Sequence, residues 1–326
     1  MSLLVRVDQF REIATDWKRI LSFCNADTIF LTFEWQDVWW QEFGQQSETL
    51  LLKFQVDSEV AGIACLARNN DVISFLGGKD LYDYSDFLVV DGHEISFYNA
   101  LLDYLEKESW ERLELFSLPE DSLTLKYLVP LARERGHVVT VRQEDVVPGL
   151  HLPDSWDEYL LSLSRKDRHE LRRKMRRLST ETEYRFYKCS SLDDLDQELA
   201  TFFQLMAGSQ EAKSRFLTPE RERFFSQIAH TMASLNLLSL FFLEVQGERV
   251  ATAMCFDYGP VRFLYNSGFS HNFGYYSVGL LLKAMCVRDA IENGKKYFDF
   301  LRGPEAYKYH LGAEDRVLYE MVVNRK

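Results

Sequence analysis

The chain has 326 residues, of which 46% are hydrophobic and 27% are charged, and its formal net charge is −12 at pH 7. This composition excludes a disordered, collagen-like or coiled-coil protein, and at about 100–200 residues per domain the length predicts two hydrophobic cores. The acidic balance argues against a protein that coats DNA. No stretch approaches the roughly 18 apolar residues of a membrane-spanning helix, so we expect no membrane span.

Five cysteines are scattered along the chain, and none belongs to a CxxC motif or a Cys/His cluster. This spacing predicts neither a disulfide framework nor a metal site. The segment Met1–Val7 lacks the basic and apolar regions of a secretory signal. We therefore expect buried thiols and a cytoplasmic location.

The first half of the chain predicts a helix followed by a sheet. Trp35, Trp39 and Trp40 have helical spacing, which is typical of packing residues. A predicted hairpin, a third strand, a loop, a helix and a short strand follow. Their predicted bounds are Leu50–Val56, Ala61–Ala67, Val72–Leu76, the Gly/Asp/Tyr-rich loop 77–86, Phe97–Lys107 and Arg112–Phe116.

The charge changes sharply near the middle of the chain. Residues 1–150 carry 26 Asp and Glu against 13 Lys and Arg, whereas residues 151–326 carry 24 against 25. The segment Val147–Pro153, with two prolines and a glycine, is the predicted linker at this change. We predict one domain over residues 1–149 and a second over residues 150–326.

A basic helix follows the linker. Arg165–Arg177 contains eight Lys and Arg in thirteen residues, and Leu171, Met175 and Leu178 form a narrow apolar stripe. Such a helix can bind phosphates of RNA, a lipid headgroup or a nucleotide cofactor. Charge alone equally allows a solvated face that lies over the acidic first half.

The second half repeats the order of elements seen in the first half. The predicted elements are Leu238–Val245, Val250–Phe256, Arg262–Asn266, the loop Ser267–Tyr276, a helix over Ser277–Asn293, and Tyr297–Leu301. A helix N-terminus offers unpaired N–H groups that suit a phosphate. Gly274 and Gly279 permit close approach of the backbone and Ser277 can cap the helix, although an ordinary capped turn has the same pattern. Duplication of one unit predicts an α/β (α+β) fold, with two mixed, mostly antiparallel sheets flanked by helices.

Several motifs, in order, resemble those of the CelD-like (cellulose-biosynthesis-associated) branch of the GNAT acyltransferase superfamily, which is related to Fem-type (FemAB-like) aminoacyl transferases. They cover nearly the whole chain and are strongest over residues 156–312. The motifs are Phe33-Glu34-Trp35, Trp39–Gly44, Tyr84–Phe87, the basic helix Ser164–Leu178, Tyr265–Phe269, Phe298–Gly303, Glu305, Tyr307–Tyr309 and Gly312.

The resemblance implies tandem GNAT-like domains and an acyl-CoA donor, such as acetyl-CoA. It places the donor pyrophosphate at the start of the helix in the second domain, with Phe273, Gly274, Ser277, Val278 and Gly279 as binding residues. The usual Gln/Arg-x-x-Gly-x-Gly/Ala signature is absent there. Another activated donor, such as aminoacyl-tRNA, therefore stays open.

The polar run Asp299–Tyr309 is the predicted catalytic segment. Direct acyl transfer needs a base for the amine, stabilisation of the oxyanion and a proton for the leaving thiolate. Glu305 and Asp299 are the base candidates, and Lys308 could hold a phosphate or the oxyanion. Structural alternatives are an Asp299–Arg302 pair, an exposed loop charge at Glu305 and a surface lysine at 308.

The predicted acceptor is a small-molecule amine or sugar, in polysaccharide or envelope metabolism. The first domain would shape the acceptor side. The predicted substrate-binding residues are Tyr84, Asp86, Tyr265, Asn266 and Arg302, and those in the first domain equally suit a domain interface. The alternatives are a Fem-like transferase that uses aminoacyl-tRNA and a catalytically silent GNAT-like binding protein.

Overall fold

The fold was determined from a computed structural model that describes residues 2–7, 9–189 and 193–326. The chain divides into two compact units. The N-terminal unit runs to Val146 and includes the last segment, Arg316–Lys326, and the C-terminal unit is Val147–Asp315.

Strands and helices alternate along the part of the chain before the basic helix. The strands are β1 Ser2–Arg6, β2 Glu48–Val56, β3 Glu59–Asn69, β4 Val72–Phe75, β5 Leu88–Val89, β6 Arg112–Pro119 and β7 Val138–His151. The helices are α1 Ala14–Leu21, α2 Phe33–Phe43, α3 Glu94–Leu105, α4 Val129–Glu134 and α5 Trp156–Ser162.

The remainder of the chain contains more helix. Its helices are α6 Arg165–Glu181, α7 Leu195–Ser209, α8 Glu211–Phe216, α9 Pro219–Ser234, α10 Val278–Glu292 and α11 Ala306–His310. Its strands are β8 Tyr184–Lys188, β9 Leu238–Val245, β10 Glu248–Tyr258, β11 Val261–Phe269, β12 Tyr297–Asp299 and β13 Glu314–Asn324.

Each unit contains a mixed sheet, and the two sheets share one pattern. In the N-terminal unit the strands pair in the order β1-β2-β3-β4-β6-β13, and only β4 and β6 among them are parallel in the described pairs. In the C-terminal unit the order is β8-β9-β10-β11-β12, and β11 and β12 are the parallel pair. The predicted fold class, with tandem mixed and mostly antiparallel sheets, is confirmed.

The two predicted hairpins close with the same kind of turn. Asp57 and Ser58 between β2 and β3 have φ of +48° and +74°, and Gln246 and Gly247 between β9 and β10 have φ of +55° and +78°. Two consecutive left-handed residues are what a two-residue hairpin loop requires. A strand-end residue is also left-handed in both units, Ser117 at φ +57° and Leu301 at φ +58°. This shared backbone detail supports the duplication.

The segment predicted as a linker begins where the chain divides into its two units, but most of it is a strand. Val147–His151 forms the last part of β7, and His151, Leu150 and Gly149 pair with β12. A side chain at Gly149 would overlap the Tyr297 ring and hydroxyl, so this glycine leaves room for the Tyr297 side chain. Pro148 contributes its carbonyl oxygen, which accepts from Phe300 N–H. The Pro/Gly signal marks close strand packing here and not a flexible connection.

Candidate active site

Strands β11 and β12 diverge after three paired residues. Their described parallel pairs run from Val261–Tyr297 to Phe263–Asp299. On its other edge, β11 slips in register against β10, so that Tyr265 is an extra residue opposite the Met254/Cys255 step. Such a bulge bends the strand. The described pairing of β11 thus continues with β10 but not with the chain that leaves β12, and we call this unpaired interval between β11 and the β12 exit the gap.

The backbone on the β12 side of this gap is held in a strained conformation. Leu301 has a left-handed φ of +58°, which is unfavourable for a branched side chain. The Asp299 carboxylate accepts from Leu301 N–H at 2.8 Å. Asp299 is buried, so its side chain stabilises the turn from inside the fold.

Lys308 stabilises the same turn. Its ammonium donates to the carbonyl oxygens of Leu301, Arg302 and Gly303 at 2.7, 2.8 and 2.9 Å. The side chain is buried, and its Nζ also lies 2.9 Å from Glu305 Oε2. An ammonium has three donors, so these four acceptors saturate it. The surface alternative for Lys308 is wrong, and the geometry favours a positioning role over the predicted binding of an oxyanion.

Glu305 lies at the opening of this turn. Its carboxylate pairs with Lys308, yet the side chain is 56% exposed. A half-exposed carboxylate beside a fixed ammonium can still accept a proton from a substrate amine. The structure therefore brings Glu305, Lys308 and Asp299 onto one turn, and the base role of Glu305 stays a prediction.

The predicted donor loop has an unexpected conformation. A 3₁₀ turn over His271–Tyr276 leads to Ser277, which is left-handed at φ +56° and makes no side-chain cap. The expectation that Ser277 caps the helix is wrong, because capping residues adopt extended backbone. The first N–H groups of α10, at Val278 and Gly279, have no acceptor within the helix.

Two glycines of this loop differ in their surroundings. A side chain at Gly274 would meet nothing within 4 Å, whereas one at Gly279 would begin 2.8 Å from the Phe269 ring. Phe273 is half-buried against the core of the C-terminal unit. The open side of the loop is therefore at Gly274 and Ser277.

The basic helix α6 contacts the donor loop. Arg177 donates to the carbonyl oxygen of Tyr275 at 2.8 Å and its guanidinium lies 4.6 Å from the Tyr275 ring centroid. Leu171 and Leu178 are buried, as the apolar stripe predicts. Helix α6 thus places cations beside the N-terminus of α10, where an anion is already favoured.

One buried lysine and one half-buried lysine were not predicted from the sequence. Lys283 lies in the middle of α10 with 6% exposure, and its Nζ donates to Gly279 O at 3.2 Å and lies 4.4 Å from the Tyr307 ring centroid. Lys213 of α8 donates to Asn266 Oδ1 at 2.9 Å and to Ser267 O. The position of Lys283 inside the apolar run Leu280–Val287 could have indicated a buried lysine. Nothing in the sequence around Lys213 distinguishes it from an ordinary surface lysine.

These lysines have lowered pKa values. The pKa of Lys283 is lowered to about 7, chiefly by burial. The charges of Lys213 and Lys308 also lower this pKa, whereas Cys286 and Glu305 act to raise it. Burial lowers the pKa of Lys213 to about 8. The charge of Glu305 acts to raise this pKa, and that of Lys308 acts to lower it. Lys283 Nζ lies 6.0 Å from the ring centroid of Phe269, two residues after the Ser267 carbonyl that Lys213 binds, and Tyr307 precedes Lys308 in the chain. We call Lys213, Lys283, Lys308 and Glu305 the lysine cluster.

The remaining predicted residues of the C-terminal unit border the gap. Asn266 binds Lys213 and accepts from Ser267 N–H at 2.9 Å. The Tyr265 ring packs on Phe225 and Phe256. Arg302 contributes its carbonyl to Lys308. Asn266 and Arg302 therefore lie at the gap, and Tyr265 supports β11 from the helical layer.

Tyr84 and Asp86 lie in the core of the N-terminal unit. Both are buried. The Asp86 carboxylate accepts from Ser122 Oγ at 2.6 Å, from Phe87 N–H at 2.8 Å and from the Thr124 hydroxyl. Burial raises its pKa to about 6 against the lowering effect of these bonds. These contacts give Asp86 a structural role in the core, and the acceptor-binding roles of Tyr84 and Asp86 stay predictions.

Among the described residues, no group of three or more His, Cys, Asp or Glu side chains could hold a metal ion. No described helix is both long enough and apolar enough to cross a membrane.

The C-terminal unit matches a known enzyme domain. Residues 165–309 match the family model described as "Acetyltransferase (GNAT) domain". This segment is therefore similar to GNAT acyltransferase domains. A comparison with curated protein sequences finds no match.

Solved structures share this fold over nearly the whole chain. FemX is 14% identical with a TM-score of 0.65, covering 98% of this chain and 96% of its own. The C-terminal domain of a putative lysylphosphatidylglycerol synthetase from Agrobacterium fabrum is 11% identical with a TM-score of 0.60, covering 98% and 93%. A tandem GNAT protein from the clavulanic acid biosynthesis pathway is 12% identical with a TM-score of 0.50, covering 98% of each chain. At such low identity these likenesses show the fold alone.

Proposed function

We propose that the protein is an N-acyltransferase that moves an acyl group from acyl-CoA, with acetyl-CoA as the expected donor, directly to an amine. The observation that carries the proposal is the gap between β11 and β12 beside the N-terminus of α10. A thioester that enters between diverging strands meets the unpaired N–H groups at the helix start, which suit its pyrophosphate. Its reactive carbonyl then lies near the turn that carries Glu305.

The residues at the gap divide the chemistry between them. Asp299 and Lys308 hold the Leu301 turn, which fixes the position of Glu305. Glu305 is the base that receives the amine proton as the amine attacks the thioester carbonyl. The carbon–sulfur bond of the thioester then breaks, and CoA leaves as a thiol that takes up this proton. No covalent enzyme intermediate is needed when donor and acceptor are bound together, because proximity supplies much of the rate enhancement.

A second candidate is a Fem-like transferase that uses aminoacyl-tRNA. It is supported by helix α6, whose cations lie against the donor loop through Arg177 and Tyr275. Arg172 and Arg176 are exposed on the same helix, where they could meet RNA phosphates. The likeness to FemX is compatible with this function.

The finer setting of the activity belongs to the same proposal. The sequence motifs favour the CelD-like branch, a small amine or amino-sugar acceptor, and a role in polysaccharide or envelope metabolism in the cytoplasm. The proposed domain division after residue 149 assigns the donor site to the second domain.

Calorimetric titration with acetyl-CoA, longer acyl-CoAs and bulk tRNA tests the proposal. Binding of an acyl-CoA, followed by thiol release when an amine is added, is the expected result. Binding of tRNA without acyl-CoA binding would replace the first candidate with the second. Binding of neither would overturn both.

A further inference from the structure

Two lysines of the cluster have no carboxylate partner among the described residues. Lys308 pairs with Glu305, but no described carboxylate lies within 4.0 Å of the Nζ of Lys213 or Lys283. Lys283 is 6% exposed, and its ammonium makes a single described hydrogen bond, to Gly279 O at 3.2 Å. Two of its three donors therefore lack an acceptor in the described structure, which is costly inside a protein.

The charge balance of the cluster is positive. The cluster has three lysines and one carboxylate, and that carboxylate is half exposed and already paired with Lys308. Mutual repulsion between the ammonium groups adds to the cost of burial. An arrangement of this kind becomes favourable once an anion enters it.

The position of the two lysines relates them to the acceptor. Lys213 lies on Asn266 and Ser267, beyond the last residue of β11 that pairs with β12. Lys283 binds the carbonyl of Gly279 at the start of α10. Lys213 thus lies on the α8 side of the gap, and Lys283 lies on α10. In the proposed reaction the acyl group and the amine meet between these two lysines.

We propose that Lys213 and Lys283 form an anion site that selects an amine acceptor carrying a carboxylate or a phosphate close to its amine. This inference rests on the proposed acyltransferase function and names the class of its acceptor. The anion supplies the missing acceptor for the Lys283 donors and neutralises the excess charge of the cluster. The same bonds orient the amine toward the thioester.

A lysine pKa that is lowered by burial and repulsion is expected to rise when an anion binds. The groups that face Lys283 are Lys213, Lys308, Glu305, Cys286 and the Tyr307 ring. Glu305 and Cys286 favour the charged ammonium, and the two lysines oppose it. A phosphate or carboxylate bound to Lys283 would also raise the pKa of this lysine, as Glu305 does, but from a closer position.

The first test needs no enzymatic activity. NMR of isotope-labelled lysine side chains follows the titration of Lys283 in the whole protein, with the signal assigned by its loss in Lys283→Met. Saturating inorganic phosphate or acetate is expected to raise the Lys283 pKa from about 7 toward its ordinary value. Lys296→Met, at an exposed lysine, is the control and should leave the titration unchanged. A Lys283 pKa that neither anion moves would overturn the proposal.

The second test measures acyl transfer from acetyl-CoA to matched amines. Phosphoethanolamine is compared with ethanolamine, and alanine with alaninamide. We expect the wild type to prefer the anionic member of one pair. The preferred pair distinguishes a phosphate from a carboxylate.

Lys213→Met should reduce that preference at least tenfold, because the loss of rate falls mainly on the anionic member of the pair. Equal use of both members by the wild type would overturn the anion site but leave the acyltransferase function intact. An equal loss with both members in Lys213→Met would indicate stabilisation of the oxyanion and would also overturn the proposal. If neither pair is acylated while anions still raise the Lys283 pKa, the proposed function fails for these amines and the anion site stands.

Discussion

The Nζ of Lys308 lies 2.7 Å from the carbonyl oxygen of Leu301, whose backbone is left-handed at φ +58°. The Asp299 carboxylate binds the N–H of the same residue at 2.8 Å. A charged side chain therefore holds each polar group of one strained peptide segment. Strain of this kind persists only where its surroundings enforce it, and it is found preferentially at functional sites.

Lys308→Met should destabilise the protein by about 1–3 kcal/mol, because three carbonyl oxygens lose their donor. Turnover should also fall at every pH, since Glu305 loses its fixed position. Urea denaturation and steady-state kinetics check the two effects, with Lys296→Met as the exposed control. Unchanged stability would contradict the positioning role.

Glu305→Gln should lower turnover steeply near neutral pH and less at high pH, where the free amine no longer needs a base. The half-exposed side chain suggests little effect on stability. A pH profile of kcat/KM with acetyl-CoA is the measurement. A loss that is uniform across the pH range would argue that Glu305 only pairs with Lys308.

Lys283→Met should stabilise the protein at neutral pH. The folded-state pKa of Lys283, about 7, lies below the ordinary value of 10.5, so the unfolded chain binds this proton more tightly. The cost is fully present below pH 7 and disappears as pH rises toward 10.5. Wild-type stability should therefore rise over this interval relative to the variant, by an amount on the order of a few kcal/mol.

Free energies of unfolding at pH 7 and pH 10 test this difference. The gain from Lys283→Met should be large at pH 7 and small at pH 10. A constant difference between the two proteins would mean that Lys283 titrates normally.

Gly279→Ala should weaken acyl-CoA binding more than Gly274→Ala does. The new methyl at 279 would begin 2.8 Å from the Phe269 ring and displace the first turn of α10, whereas the methyl at 274 meets nothing within 4 Å. Proline at 279 would meet the same ring and is a poorer test. Calorimetry with CoA on both folded variants gives the comparison, and equal affinities would count against this loop as the donor site.

Arg172→Gln combined with Arg176→Gln tests the RNA alternative. Both side chains are exposed, and each lost phosphate contact should flatten the log–log salt dependence of tRNA binding by about 0.7. The matched control is Arg173→Gln with Arg177→Gln, because these two are bound to Glu170 and Tyr275. An absence of tRNA binding by the wild type near physiological salt would remove the main support for a Fem-like function.

The sequence by itself determined the repeated unit and its sheets. Strand β9 has the predicted bounds Leu238–Val245, and α10 begins one residue after its predicted start. Apolar alternation, hairpin turns and a glycine after a helix act over a few residues, so they can be read locally. The turn that carries the predicted catalytic residues could also be recognised from the sequence, because Asp299, Glu305 and Lys308 lie within ten residues of one another.

Tertiary structure decided what each polar residue does. Asp86 has a structural role in the core because Ser122 and Thr124, 36 and 38 residues away, bind its carboxylate. Lys213 hydrogen-bonds Asn266 near the end of β11, more than 50 residues later in the chain, only because the fold brings α8 to that strand. The local sequence does not indicate such long-range hydrogen bonds, because sheet register and helix packing determine which residues come together. That Lys213 and Lys283 have no carboxylate partner among the described residues therefore became visible only in the folded chain.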